Sequence, residues 1–228
     1  MFFPERITKI AATDKVLEIG PGADPHLRSD VLLELAFDDK ENYAKQFGHD
    51  RKLVTDKKVV FYDGKKFPFA DKEFDYVICA HVIEHVEDVE LFVSELFRVA
   101  KRGYIEYPLA YYEYLYNFDV HLNYVKLNNG ILNYMKKSGT TLNKFKPLQE
   151  FFRGLQMKGH MQMVDELLPQ FMEGFEWEKP FEVKQVNSIA QVCFTELNFP
   201  PVKEKPLASY GSKRLLKEFL KSMTNRIR

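Results

Sequence analysis

The sequence Val-Leu-Glu-Ile-Gly-Pro-Gly at residues 16–22 decides the fold class, because an apolar run ends there in a glycine-rich turn. Further apolar runs follow at residues 31–35, 59–62, 74–80 and 103–107. Runs that are nearly continuous in hydrophobic side chains are typical of parallel strands covered on both faces. Together with the helical stretches between them, they predict an α/β protein with a doubly wound, mostly parallel sheet.

The clearest helix is predicted between the fourth and fifth strands, where apolar residues recur at helical spacing. Asp88 is expected to cap its N-terminus, and Gly103 to end it in the left-handed conformation. Only ten residues, 21–30, separate the first two strands, and two of them are prolines. Because a parallel crossover normally needs that length or more, we expect the first helix of the fold to be reduced to about one turn.

The pattern changes beyond Pro108 to a mixed helical and β extension. Residues 128–130 (Asn-Asn-Gly) predict a hairpin, and residues 142–175 are expected to be helical with breaks at prolines. Residues 175–186 predict a strand, with which residues 189–197 are expected to pair.

Composition limits the functional classes that fit the chain. It has 33 basic and 33 acidic residues, and this balance argues against a broad basic face for nucleic acid. No uncharged apolar run approaches the roughly 18 residues that span a bilayer. Cys79 and Cys193 are too far apart in sequence to indicate a disulfide framework or a zinc ribbon. The first residues, MFFPER, contain an acid and a base where a secretory signal is apolar. We expect a cytoplasmic protein.

The turn after the first strand has the features of a ligand site. Glu18 near the strand end and the glycines at 20 and 22 lie at the carboxyl edge of the predicted sheet, where ligands bind. The sixth position of a G-x-G-x-x-G motif is Pro25, which disfavours a pyrophosphate at a helix N-terminus. The turn therefore favours a nucleoside without phosphates, and a glycine turn with no ligand is the alternative.

Two further carboxylates follow strands at the same edge. Glu34, at the end of the second strand, can accept hydrogen bonds from both hydroxyls of a ribose. Asp63 and Gly64 follow the third strand. The Asp63 carboxylate can accept a hydrogen bond from the amino group of an adenine, with the backbone of Gly64 beside it. The alternatives are that Glu34 is exposed with Asp38 or Asp39 as a helix cap, and that Asp-Gly is a plain turn.

The fourth strand is followed by His-Val-Ile-Glu-His at residues 81–85, which matches the H-x-x-E-H zinc signature of one peptidase group. A catalytic zinc there would need a third protein ligand and a long metal-binding helix. Because these residues come directly after a parallel strand, a junction ordered by Glu–His hydrogen bonds is favoured over a metal-dependent hydrolase that uses His81, Glu84 and His85. We therefore predict no metal site, and a divalent-ion site formed by His81, Glu84 and His85 is the alternative.

The segments LEIGPG, LLEL, DGKKFPF and FDYVICAHVIEHVED, in this order, resemble the type 11-like branch of the class I S-adenosylmethionine-dependent methyltransferases. The resemblance covers residues 15–107. It implies a Rossmann-like fold, S-adenosylmethionine as cofactor, residues 1–138 as the cofactor-binding domain and residues 139–228 as an extension that shapes the acceptor site. It places the cofactor against Glu18, Gly20, Gly22, Glu34, Asp63 and Gly64.

The same resemblance places His81 near the transferred methyl group. Histidine titrates near neutrality, so His81 is our first candidate for a base that takes a proton from the acceptor, and His121 is the second. Residues 104–124 contain seven of the 12 tyrosines, whose rings suit a saccharide or aromatic small-molecule acceptor. An aromatic lid or a dimer contact is the alternative.

Residues 212–228 predict a basic amphipathic helix that packs on its own domain, contacts a membrane surface or binds a partner protein. For the whole chain, the alternative to a methyltransferase is a non-catalytic scaffold with the same fold and weak or no cofactor binding.

Overall fold

A six-stranded sheet forms the centre of the fold in the computed structural model, which describes residues 1–36, 53–158 and 168–193. The strand order is β3-β2-β1-β4-β5-β8; β1 to β5 are parallel and β8 is antiparallel to β5. This arrangement confirms the predicted doubly wound, mostly parallel sheet. The strands are β1 (Val16–Ile19), β2 (Val31–Leu35), β3 (Lys58–Tyr62), β4 (Phe74–Ala80), β5 (Ala100–Pro108) and β8 (Met172–Trp177).

The strand order reverses next to β1, which pairs with β2 on one side and with β4 on the other. In open parallel sheets, the crevice at the carboxyl ends of such strands is where ligands bind. The chain therefore brings the ends of β1, β2, β3 and β4 to one edge, although they are distant in sequence.

Helix α1 (Val89–Val99) covers one face of the sheet and buries its apolar side toward the core. The Asp88 carboxylate accepts a hydrogen bond from the backbone N–H of Leu91 at 2.9 Å, which confirms the predicted cap. The helix ends at Val99 and β5 begins at once, so the prediction that Gly103 ends the helix is wrong. Gly103 lies within β5, where a Cβ atom would be 2.5 Å from the carbonyl oxygen of Val77.

The connection between β1 and β2 has turns and no helix, so the first helix, predicted to be reduced to about one turn, is missing altogether. The buried carboxylate of Glu18 holds this connection through hydrogen bonds from the backbone N–H of His26 at 2.8 Å and from the Ser29 hydroxyl at 2.6 Å. A carboxylate therefore orders the loop where a longer crossover would carry a helix.

A second, three-stranded sheet is built from β6 (Asn123–Asn128), β7 (Ile131–Lys136) and β9 (Glu182–Gln185). Strands β6 and β7 form the predicted hairpin, and β9 is parallel to β7. The prediction of one strand over residues 175–186 is wrong, because β8 ends before Pro180 and joins the central sheet, whereas β9 joins the second.

The other α-helices of the described residues are α2 (Ala110–Tyr116), α3 (Lys146–Met157) and α4 (Leu168–Phe171). The predicted strand from residue 189 begins as a 3-10 turn, Ile189–Gln191, and its end after residue 193 lies outside the described residues. The predicted helix at 212–228 also lies outside them. None of the helices in the described ranges is long and apolar enough to cross a membrane.

The segment between β5 and β8 begins and ends at neighbouring positions of the central sheet. Pro108 and Met172 are partners in the strand register, and the backbone N–H of Leu109 donates to the carbonyl oxygen of Phe171 at 2.8 Å. Strand β8 lies in the part of the chain predicted as the extension after residue 138, and that boundary stays a prediction.

Candidate functional site

A cavity of about 480 Å³ opens at the carboxyl edge of the central sheet and is called the first cavity here. It is where the reversal of strand order predicts a ligand site. Its volume lies in the range of small-molecule sites. Of the residues predicted to bind or act on the cofactor, the lining includes Gly20, Glu34, Asp63, Gly64 and His81.

The turns around this cavity need glycine for steric reasons. Gly20 has φ +58°, and a Cβ atom there would lie 2.6 Å from a methyl group of Val82. Gly64 has φ +84°, and a Cβ there would lie 3.2 Å from Leu35. Both glycines adopt the left-handed conformation, which side chains rarely adopt, and keep bare backbone at the cavity wall. Gly22 also has a positive φ but is not part of the lining.

Glu34 places a buried carboxylate with a raised pKa in the wall of the first cavity. Its side chain is 6% exposed, and burial raises its pKa from 4.5 to about 7. Among the described residues, its carboxylate accepts one hydrogen bond, from the backbone N–H of Leu35 at 3.1 Å. A buried carboxylate with so few donors favours a ligand that brings hydroxyl groups.

The rest of the lining fits a nucleoside. Leu35, Val86, Leu91 and Phe92 supply apolar surface for a base. The Asp63 carboxylate accepts the backbone N–H of Lys65 at 3.1 Å and faces the same cavity. Glu18 lies outside the lining because its carboxylate is committed to the β1–β2 connection. The lining therefore suits S-adenosylmethionine, although Glu18 and Gly22 are not part of it, and the contacts of the other residues with the cofactor stay a prediction.

His81 lies at the end of β4 with both ring nitrogens facing carboxylates. Its Nε2 is 2.9 Å from Oε1 of Glu106, and its Nδ1 is 3.3 Å from Oε1 of Glu84. Burial alone would lower the pKa of His81, but its hydrogen bond to Glu106 and the charge of Glu84 outweigh burial and raise that pKa. Because neither nitrogen keeps a free lone pair, this geometry does not favour His81 as a base, and its catalytic role stays a prediction.

Glu106 could have been found in the sequence, since it is an acid within an apolar strand. It is fully buried and is held by the Tyr104 hydroxyl at 2.6 Å and the backbone N–H of Phe2 at 2.8 Å. Burial raises its pKa, and hydrogen bonds from His81 and Tyr104 outweigh burial and lower it. The acid therefore stays ionised beside the imidazole.

The residues of the H-x-x-E-H sequence do not lie on a long helix. Ile83–His85 form a single 3-10 turn, and His81 has φ +58°. The hydrolase alternative thus lacks the helix that its zinc motif requires. The prediction of a junction ordered by Glu–His contacts agrees with this geometry.

His121 lines a second cavity of about 330 Å³, called the second cavity here. Its ring packs edge-on against the ring of His85, with centroids 4.6 Å apart, and His85 lines the first cavity. Glu87 lines both cavities, so they adjoin at this point. The other lining residues of the second cavity are mainly polar: Asn117, Asp119, Leu122, Lys136, Lys137, Ser138 and Leu142.

Most tyrosines of residues 104–124 fill the core. Tyr104, Tyr107, Tyr116 and Tyr124 are at most 1% exposed, and none of the seven lines either of the two cavities. The hydroxyl of Tyr107 donates to Glu173 at 2.6 Å. This placement favours packing over acceptor recognition for these residues.

Comparison with known proteins agrees with the geometry. Residues 25–105 match a family model described as "Methyltransferase domain". This match supports the predicted resemblance to methyltransferases over that part of the chain. No curated protein matches the chain.

Solved structures with similar chains include YcgJ of Bacillus subtilis, at 24% identity over 44% of this chain and 47% of that one (TM-score 0.32). A SAM-dependent methyltransferase of Thermotoga maritima is 21% identical over 46% and 49% (TM-score 0.32). One from Methanosarcina mazei is 15% identical over 53% and 69% (TM-score 0.32). The chain spans about half the length of the first two.

Proposed function

We propose that this chain, whose residues 25–105 match a methyltransferase domain, transfers a methyl group from S-adenosylmethionine to a hydroxylated small molecule of the saccharide type. The observation that carries the proposal is the first cavity with the buried carboxylate of Glu34 in its wall. The cofactor, when bound, supplies a methyl group on a positively charged sulfur, so the protein has mainly to align and enclose the reactants.

The chain's own residues divide this task. Glu34 accepts hydrogen bonds from the ribose hydroxyls, and Asp63 accepts one from the amino group of the adenine. Gly20 and Gly64 let the ligand approach the backbone, and Leu91 with the other apolar lining residues excludes water from the base. These roles follow from the position of each residue at the cavity wall.

The second cavity supports the saccharide-type acceptor over the aromatic one. Amide, carboxylate, ammonium and hydroxyl groups line it, from Asn117, Asp119, Lys136 and Ser138. Among the described residues, His121 supplies the one aromatic ring of the lining. Polar groups in this number suit a ligand with several hydroxyl groups better than a flat aromatic acceptor.

Calorimetric titration with S-adenosylhomocysteine tests the cofactor site. The full chain is expected to bind with micromolar affinity, and Glu34→Ala is expected to weaken binding at least tenfold. Glu178→Ala is the matched control. It removes an exposed carboxylate that pairs with Lys9, and neither residue lines the first cavity. Equal binding by Glu34→Ala and the full chain would contradict the proposed role of Glu34.

Turnover with a panel of saccharides and phenols, followed by the release of S-adenosylhomocysteine, tests the acceptor class. Activity with phenols alone would contradict the saccharide assignment. The observation in favour of the scaffold alternative is the β1–β2 connection, which has no helix. This alternative predicts that neither the full chain nor any variant binds S-adenosylhomocysteine.

A further inference from the structure

We propose that Glu84, His85 and His121 form a binding site for a divalent transition-metal ion. Each of the three offers a ligand atom, and these atoms all lie within 4.8 Å of one another. Glu84 and His85 belong to the turn after β4, whereas His121 comes shortly before β6. The site differs from the H-x-x-E-H motif of the sequence, because His81 is replaced by a histidine from another part of the chain.

The two histidines are oriented as metal ligands usually are. His85 Nδ1 lies 3.0 Å from the carbonyl oxygen of Val120, to which it can only donate, so its Nε2 keeps a lone pair. His121 Nδ1 lies 2.5 Å from Oε1 of Glu113, which leaves its Nε2 as the second donor atom. Metal-binding histidines almost always donate their other N–H to a carbonyl or a carboxylate in this way, which fixes the ring.

Glu84 supplies the independent observation that points to a cation. Its side chain is 1% exposed; among the described residues Nδ1 of His81 approaches Oε1 to 3.3 Å, but neither carboxylate oxygen has a hydrogen bond of good geometry. Oε1 is 4.0 Å from Nε2 of His85. A buried carboxylate without hydrogen bonds is costly, and coordination of a metal ion would relieve that cost.

Backbone and side-chain contacts hold the two parts of the site together. The backbone N–H of Leu122 donates to the carbonyl oxygen of Glu84 at 2.7 Å. The side-chain amide of Asn123 donates to the carbonyl oxygen of Val86 at 2.8 Å. These bonds join the turn to the residues next to His121, so the ligand atoms are preorganised before an ion binds.

Two imidazoles and one carboxylate select zinc, iron(II) or cobalt over magnesium and calcium, which prefer sets of oxygen ligands. Three protein ligands leave at least one coordination position open, as in catalytic zinc sites. His85 lines the first cavity and His121 lines the second. If the proposed methyl transfer holds, the open position is therefore available to an oxygen atom of the acceptor.

Metal titration of the chelator-treated full chain tests the site. We expect one equivalent of Zn²⁺ to bind by calorimetry, and one equivalent of Co²⁺ to give the visible absorption bands of a four- or five-coordinate ion. The Co²⁺ spectrum of the unchanged chain needs no variant. Absence of stoichiometric binding of both ions would overturn the proposal.

Variants then identify the ligands. His121→Ala and His85→Ala are expected to weaken Zn²⁺ binding at least 100-fold, and Glu113→Gln about 10- to 100-fold through the orientation of His121. His81→Gln is expected to weaken it less than tenfold, and His26→Gln, on the β1–β2 connection, to leave it unchanged. Zn²⁺ affinity lost in His81→Gln but kept in His121→Ala would refute this ligand set.

Binding of S-adenosylhomocysteine by His121→Ala separates the two proposals. Retained binding shows that the variant is folded and that loss of zinc affinity reports on the metal site alone. Absence of nucleoside binding in the unchanged chain would contradict the proposed function and leave the zinc titration as an independent result.

Discussion

Glu34→Gln is expected to stabilise the ligand-free protein at pH 8 and to weaken its binding of S-adenosylhomocysteine. Burial raises the pKa of Glu34 from 4.5 to about 7, so the folded state disfavours the charged form. At 1.36 kcal/mol per pKa unit, ionisation costs about 3 kcal/mol of unfolding free energy. The contribution of the neutral acid is fully present below pH 4.5 and is lost as the pH rises through about 7. A glutamine at position 34 stays neutral at every pH, so the variant keeps this contribution to the unfolding free energy.

Binding is expected to change in the opposite direction. A charged acceptor contributes about 1.5–3 kcal/mol per hydrogen bond, so its loss predicts binding that is roughly 10- to 100-fold weaker. The affinity of the unchanged chain is expected to fall between pH 8 and pH 6, as Glu34 takes up a proton before it can accept two hydroxyl groups. In Glu34→Gln the affinity is expected to vary little over this range.

Urea unfolding at pH 5 and pH 8, with calorimetry at the same two values, measures both effects. Glu178→Gln, which removes a largely exposed carboxylate, is the control and is expected to change neither quantity by more than its experimental error. The reasoning is refuted if Glu34→Gln changes the unfolding free energy equally at both pH values. It is also refuted if the variant binds S-adenosylhomocysteine as tightly as the unchanged chain at pH 8.

Three further substitutions test the packing that supports the site. Gly103→Ala is expected to lower the unfolding free energy by about 2 kcal/mol, because its Cβ would lie 2.5 Å from a carbonyl oxygen; Gly139→Ala, which meets open space, is the control. Gly20→Ala, at φ +58° and 2.6 Å from a valine methyl group, is expected to lower both stability and binding of S-adenosylhomocysteine; unchanged values would contradict the steric argument. Ser29→Ala is expected to cost about 1–3 kcal/mol in urea unfolding, because it removes the hydroxyl bonded to the buried carboxylate of Glu18; no loss would show that this bond does not order the connection.

The central sheet could be predicted because its parallel strands are buried on both faces and therefore appear as apolar runs. The positions of Gly20, Glu34 and Asp63 followed from that prediction, since the carboxyl ends of the strands share one edge. Of strand β8 only the end, from residue 175, was predicted as strand, because its partner β5 is distant in sequence and its own residues (MEGFEW) do not form an apolar run.

The residues that surround His85 in the structure could not be predicted from the sequence either. The motif predicted His81, Glu84 and His85 on one helical face, but His81 has a positive φ and a single 3-10 turn follows, so no such helix forms although His81 still contacts Glu84. His121 comes close to His85 because the backbone N–H of Leu122 donates to the carbonyl oxygen of Glu84. No local sequence pattern predicts this contact. Long-range topology, rather than residue spacing, sets the composition of this part of the site.

The side-by-side anchoring of Pro108 and Met172 has a consequence for how such proteins diversify. The described residues between these two positions form no strand of the central sheet, so the segment leaves that sheet and returns to it at adjacent positions of the strand register. His121, Lys136 and Ser138 all belong to this excursion. Under the proposed function, the residues of this segment that line the second cavity can change with the acceptor while both ends of the segment stay fixed on the central sheet.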